Sequence, residues 1–438
     1  MRRITWMLAL LAPGWGATPG LAQETHAAPD PVERVTLEEA LERFAAQGLA
    51  IRIARADQHE AAERARQDAA WPNPTVATYH ESLDRSAGTG AEDDYTETTT
   101  ELAQSIVWPW RQGARGGAAD ARAREARARF RADSAEAGLD VVRVWLDAWE
   151  GERTLAAVAE ATEVFRAADR AATARYGEGD LSGYDLRRLR VERTRYEAEM
   201  DAQRLALRSA QRQLATLIAP EAPGASIGAA DAEIGLPPAV ELDAAVAAAR
   251  AGRPEIAAAG AEVAAAEADL RAARWERVPE PTLRAGWKEQ ADGFEGPVVG
   301  LALALPLFDR RSAAVEAARA ALAAAEARRT LVARRVEDEV RAAVERHEAL
   351  LARAALFEDR LLADTDDLLE IARVSYGAGE ISLLELLDGA DAWRDATATR
   401  SELQAELWES WHEVQRATGG MPVGAMMDQA TTIIREGT

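Results

Sequence analysis

No cysteine occurs anywhere in the 438 residues. No disulfide can staple the chain, and no thiol is available as nucleophile, metal ligand or lipid acceptor. Histidine is almost as scarce: His26, His59, His80, His347 and His412 are scattered without metal-ligand spacing. No glycine-rich phosphate loop is present. These absences argue against an enzyme and leave no cofactor to expect. Basic residues are outnumbered, 52 against 74 acidic, for a net charge of -22. Nucleic acid is thereby excluded as a partner, since little here would neutralise phosphates. Long apolar runs are also missing. Arg2 and Arg3 precede a short apolar run, Ile4 to Leu11, and small residues lead on to Ala22. Residues 1–22 therefore read as a secretory signal peptide cleaved near Ala22, the run being too short for a retained anchor. No later run reaches helical membrane-spanning length, so any membrane crossing must use strands.

What the chain does contain, it contains twice. Tyr176-Gly177-Glu178-Gly179-Asp180-Leu181-Ser182 and Tyr376-Gly377-Ala378-Gly379-Glu380-Ile381-Ser382 share one pattern. Each separates a very long proline-free, Ala-rich segment from a second helical one. Gly177 and Gly377 are expected to take the left-handed conformation that ends a helix. Ser182 and Ser382 would cap the next helix, with Asp185 and Glu385 completing capping boxes. A first repeat is assigned to residues 23–219, a linker rich in Pro, Gly and Ala to 220–240, a second repeat to 241–418, and a tail to 419–438.

Within each repeat the order is helix, strand, strand, long helix, tip, helix. Thr36-Leu37-Glu38-Glu39 opens a helix to about Ala70, which Trp71-Pro72-Asn73-Pro74-Thr75 ends. Strands follow over Val76 to Leu83 and about Thr98 to Val107, then a helix across Gly117 to Arg175, returning over Gly183 to Ala219. The second repeat matches: a helix over Leu242 to Arg277, then Pro279-Glu280-Pro281-Thr282. Its strands alternate cleanly. Leu283, Ala285 and Trp287 oppose Arg284, Gly286 and Lys288, and Val299, Leu301, Leu303 and Leu305 line one face of the partner. A long helix covers about Ser312 to Val374, and the last runs from Leu383 to about Thr418. One apolar and one charged face suit a sheet between lipid and water; a β-hairpin packed on a soluble helical bundle is the other reading. Four strands cannot close a barrel, so a membrane form needs several copies.

The order of elements, the paired tips, the Pro-x-Pro-Thr entries and Leu305-Pro306-Leu307-Phe308 resemble TolC-type outer-membrane efflux proteins. Ile381-Ser382-Leu383-Leu384-Glu385-Leu386-Leu387-Asp388 resembles the heavy-metal-efflux, CzcC-like branch. The resemblance implies a mostly α fold with a small β part: a homotrimer whose transmembrane β-barrel in the outer membrane continues into a long periplasmic α-helical barrel. It also implies a periplasmic adaptor and an inner-membrane pump as partners, with metal cations as one class of cargo. Tyr376 and Asp185 match positions holding a closed entrance, and Glu385 and Asp388 match an acidic ring. Ile381 stands where the family carries a closing arginine, and the lipid-bearing N-terminal cysteine of many metal-branch relatives is absent.

The adaptor-docking residues implied are Tyr176, Gly177, Gly179, Leu181, Ser182, Tyr376, Gly377, Gly379, Ile381 and Ser382. Apolar Leu181, Ile381 and Leu383 exposed at a loop tip would suit docking; well-capped turns with no partner are the plainer alternative. Glu385 can equally be a capping acid, and Asp388 a solvated one. Trp71, Trp108, Trp110 and Trp275 border the strands as an interfacial belt or as ordinary packing. A periplasmic adaptor or a soluble coiled-coil protein remains the alternative function. An adaptor needs one helical hairpin, whereas this chain has two.

Overall fold

A computed structural model describes residues 32–83, 95–230, 235–357 and 367–421. The signal segment, the Gly- and acid-rich stretch 86–94 and all but the start of the tail lie outside them. The longest element is the helix α3 (Pro109–Glu178), 70 residues with Pro109 in its first turn. At ~1.5 Å per residue it is ~105 Å long, and only packing against other helices can hold it straight. The helices α4 (Gly183–Ile218), α6 (Pro254–Trp275), α2 (Leu49–Asp68) and α9 (Leu383–Thr418) all lie along it. The second long helix begins as α7 (Ser312–Phe357) and resumes as α8 (Leu368–Ala378), with 358–366 outside the described residues.

The single helix expected from residue 36 to 70 is in fact two. It breaks between α1 (Leu37–Gln47) and α2 at Gly48, where the backbone turns extended with ψ 135°. A Cβ at this glycine would stand 2.6 Å from the Phe44 carbonyl oxygen, and the Phe44 ring is buried beneath it. The second half bends at the matching place, between α5 (Leu242–Gly252) and α6, where Pro254 starts the new helix. Thr36 caps α1 in one direction only: its hydroxyl accepts from the Glu39 N–H at 3.2 Å, while the Glu39 carboxylate takes Arg43 instead.

Two short strands escaped the sequence reading. β1 (Glu33–Val35) pairs in parallel with β4 (Ile227–Ala229), so the segment just ahead of α1 and the inter-repeat linker are joined. Isolated triplets carry too little periodicity to register, yet Val35 and all of β4 are buried against α1, α3 and α4. Trp145 of α3 ties in by donating its indole N–H to the Val35 carbonyl at 2.9 Å. Further along the linker, the fully buried His347 of α7 donates through Nε2 to the Pro238 carbonyl at 3.0 Å, and its Nδ1 meets the Ser410 hydroxyl at 2.8 Å.

The main sheet is antiparallel, in the order β2 (Thr75–Leu83), β3 (Tyr95–Ser105), β5 (Pro281–Gln290), β6 (Glu295–Leu303). The β3–β5 pairing joins the two halves, with Glu101 opposite Gly286 and Ala103 opposite Arg284. The sheet stands at the far end of the helices from the tips and leaves both outer edges, β2 and β6, without a partner strand among the described residues.

Candidate functional site

At both tips the glycine in the left-handed region is the second, not the first. Gly179 has φ 86° and Gly379 φ 78°, while Gly177 and Gly377 are ordinary helical residues. The hydrogen bonds explain the difference. Asp180 N–H donates to the Arg175 carbonyl at 2.8 Å and Gly179 N–H to that of Tyr176 at 3.2 Å; Glu380 and Gly379 repeat this on Ser375 and Tyr376. This double closure places the left-handed residue immediately after the last helical one.

The caps differ between the tips. Ser382 and Glu385 form a full box: the Glu385 carboxylate accepts from the Ser382 backbone N–H at 2.7 Å, and the Ser382 hydroxyl accepts from the Glu385 N–H. These contacts, the backbone one first, hold the Glu385 carboxyl below its ordinary pKa. Ser182 accepts from the Asp185 N–H at 3.1 Å, but the shorter Asp185 carboxylate reaches only the Ser182 hydroxyl, at 2.6 Å. Only one of the two expected boxes is therefore reciprocal.

Both hairpins bury into one apolar cluster that includes Phe165, Leu186, Leu189, Tyr376, Leu386 and Trp393. The tips thus sit side by side. Leu383 is buried in this cluster, and Leu181 and Ile381 are half-buried against it, so they are not the exposed residues expected. The apolar groups that do face outward are Tyr184, Val191, Ile371, Val374 and Leu384. Tyr376 is 3% exposed whereas Tyr176 is 51% exposed. The Tyr376 hydroxyl has no hydrogen-bond partner among the described residues. Burial raises its pKa, opposed by nearby Arg175 and reinforced by Asp185. Tyr376 and Asp185 are thus neighbours without a direct bond. Asp388 is exposed on α9 beside Glu385 and away from the cluster.

One contact between the hairpins was invisible in the sequence. Tyr196 of α4, buried against Phe165, donates its hydroxyl to Asp391 of α9. Arg394 lies over the Tyr196 ring at 5.1 Å and pairs with Glu199 at 3.0 Å. A lone tyrosine among Arg and Glu was the only available hint.

The sheet presents its apolar side outward. Val299 is 82% and Leu301 69% exposed, with Leu283, Trp287 and Leu303 on the same side. The opposite face carries ion pairs, Lys288 with Glu97 at 2.5 Å and Arg284 with Glu101 at 3.0 Å. At the helical margin of the sheet Trp71, Trp110 and Trp275 are exposed. Trp108 stacks on Trp110 with ring centroids 5.1 Å apart and donates to the Pro279 carbonyl at 2.9 Å. Three of the four tryptophans expected as a belt thus face out, and the fourth packs inward on them. No described helix is long and apolar enough to cross a membrane, and no cluster of metal-ligating side chains occurs among the described residues.

No curated protein sequence matches this chain. Among solved structures it is similar to the Campylobacter jejuni CmeC outer membrane channel, with TM-score 0.73, 14% identity and 94% of each chain covered. It is similar to CusC, a protein that forms a transmembrane channel, with TM-score 0.70, 17% identity, and 94% of this chain and 99% of that one covered. The Vibrio cholerae outer membrane protein VceC matches with TM-score 0.67 and 18% identity over 88% of this chain and 96% of that one. The fold is that of these channels. Residues 245–420, which hold the second strand pair and the second tip, match the family of outer membrane efflux proteins, a family of channels and not of enzymes.

Proposed function

We propose that three copies of this chain form the outer-membrane exit duct of a tripartite efflux system, exported through the 1–22 leader. The observation that carries this reading is the inverted sheet. Side chains as apolar as Val299 and Leu301 stand most exposed, while charges pair on the opposite face. Such a sheet is stable only with lipid outside and water inside. Its two unpaired edges need neighbours, because an open edge in hydrocarbon costs several kcal/mol per unsatisfied group. A ring of copies closes both, giving twelve strands from three chains. The two repeats, 23–219 and 241–418, each contribute two strands and one long hairpin.

At the far end the tips form the entrance and dock a periplasmic adaptor, which links the duct to an inner-membrane pump. Tyr176, Gly177, Gly179, Leu181, Ser182, Gly377, Gly379, Ile381 and Ser382 shape that surface. Tyr376 and Asp185 hold the two hairpins closed, and Glu385 and Asp388, repeated by symmetry, form an acidic ring that favours cations. Placement in the heavy-metal branch, with metal cations as cargo, rests on the 381–388 stretch. Native mass spectrometry of detergent-extracted protein should show a trimer, and planar bilayers should show a cation-selective conductance. Asp388→Asn should weaken selectivity more than Glu385→Gln, whose carboxylate is engaged in the cap. A folded monomer in the soluble periplasmic fraction would end this reading.

A further inference from the structure

Exposed apolar side chains continue beyond β6. Val299, Leu301 and Leu303 share the outward face of the strand, and in the turn that follows it, closed by the Leu307 N–H donating to the Leu305 carbonyl at 2.9 Å, Leu305, Leu307 and Phe308 are exposed as well. Immediately beyond stand Arg310 and Arg311; Arg277, two residues past the end of α6, reaches them, and Arg274 lies in the last turn of that helix. Arg277 donates through Nε to the Arg310 carbonyl at 3.2 Å, so the two segments are laced together. Arg311 has φ 55°, held by the Asp309 carboxylate accepting its N–H at 2.8 Å. Its guanidinium pairs with Glu276 at 3.2 Å. Both nearby carboxylates are thereby engaged, and Arg274, Arg277 and Arg310 have no acidic partner among the described residues. In a chain of net charge -22 this local excess of cations is unexpected.

We propose that this collar is a binding site for an anionic phospholipid of the periplasmic leaflet: the arginines take the phosphate, and the β6 ladder with Phe308 and Trp275 takes the acyl chains. The inference rests on the membrane reading above. The geometry suits a lipid in two ways. Within the strand, Val299 to Leu303 spans about 13 Å at ~3.3 Å per residue, about half of the ~25 Å apolar band of a bacterial barrel and so about the depth of one leaflet. The charges lie at one end of it, at the tryptophan margin where headgroups sit. A neighbouring copy would meet β6 along its hydrogen-bonding edge, in the plane of the sheet, whereas the ladder stands perpendicular to that plane.

The test uses the purified full-length protein in a non-ionic detergent, delipidated and then titrated with phosphatidylglycerol or phosphatidylcholine under native mass spectrometry. The wild type should retain phosphatidylglycerol in preference to phosphatidylcholine. Arg277→Gln with Arg310→Gln should weaken phosphatidylglycerol binding by about 30-fold, from about fivefold per charge. Phosphatidylcholine binding and the oligomer should be unchanged. Arg274→Gln alone, at an exposed helix end, should show the same preference weakened to a smaller extent. Undiminished phosphatidylglycerol binding in the double variant overturns the site. So does loss of the oligomer in lipid-free detergent, which would assign the arginines to a contact between copies. Failure of the wild type to enter phosphatidylglycerol-containing nanodiscs would instead overturn the membrane reading, and the lipid site with it.

Discussion

The two tips carry one sequence pattern and have different fates. Each ends its helix on a left-handed glycine and starts the next on a serine cap. Yet Tyr376 is sealed in the cluster shared by both hairpins, close to Arg175 and Asp185, while Tyr176 lies on the surface over Gly183, 3.4 Å from where its Cβ would be. The pattern therefore fixes the turn, and the surroundings fix the role. One tyrosine fastens the hairpins to each other; its counterpart is left for whatever comes next to the molecule.

Truncating the two tyrosines separates these roles most sharply. Tyr376→Ala should cost roughly 3–5 kcal/mol of local stability, as for other large buried aromatics. Tyr176→Ala should stay within about 0.5 kcal/mol, as surface changes do. Hydrogen exchange across residues 368–390 reads the difference; equal losses at both sites would erase the contrast. Tyr376→Phe is the companion probe. Because the hydroxyl is buried and unpartnered, removing it should be neutral or stabilising, by up to about 1–3 kcal/mol.

The return helices differ in a second way. α4 holds no histidine, whereas α9 carries His412, buried beside Trp408 with neither ring nitrogen hydrogen-bonded among the described residues. Burial pushes its pKa down to about 4. The unfolded chain then binds a proton more readily than the folded one between pH 6.5 and about 4. Stability is complete above pH 6.5 and declines on acidification, by about 3 kcal/mol once the folded value is reached. Exchange at pH 7 and pH 5 should therefore loosen α9 before α4, and His412→Leu should abolish the difference in order.

The glycines come next in size. Valine at Gly179 or Gly379 must adopt a left-handed conformation and should cost about 1–2 kcal/mol at either tip. Gly177→Ala and Gly377→Ala replace helical glycines with open space around them and should gain about 0.5–1 kcal/mol. Thermal melts of the four variants decide whether the left-handed position is placed correctly.

Much of this fold was legible because its signals are local. Proline gaps, serine caps and period-two alternation located the long helices, both tips and the β5–β6 pair. The β1–β4 pair was not legible, because three-residue strands have no period and depend on Trp145 and the α1 face for their burial. The break at Gly48 was missed because a helix interior tolerates a lone glycine; the requirement there comes from Phe44. At the candidate site the glycine turns and serine caps could be read, but not which glycine turns left-handed, nor the exposure of the tip side chains. Leu383 and Tyr376 look like surface residues in the sequence, and only the packing of one hairpin on the other buries them. The Tyr196–Asp391 bond is separated by 195 residues and leaves no mark on either segment.

The smallest expected difference concerns the caps. Ser182→Ala and Ser382→Ala each remove one accepted N–H bond and one hydroxyl-to-carboxylate bond, but after Ser382→Ala the Glu385 carboxylate still holds the backbone N–H of residue 382, a bond the first tip lacks. Each should cost about 1 kcal/mol, with Ser182 the larger. Acid sharpens the comparison. Glu385 is held below its ordinary pKa by the Ser382 N–H and hydroxyl, so its contribution is fully present above pH 4.5 and is lost as pH falls through the folded value. Glutamine at 385 can still accept the backbone N–H but does not titrate. Glu385→Gln should therefore start slightly below the wild type at pH 7, lacking the charge that strengthens the bond, and show no further loss near pH 3.5 where the wild type loses protection, as measured by exchange of the amides from 382 to 386 relative to a matched unfolded peptide. If the variant and the wild type lose protection together on acidification, the reciprocal cap does not hold the second tip, and the two tips are closed by their glycines alone.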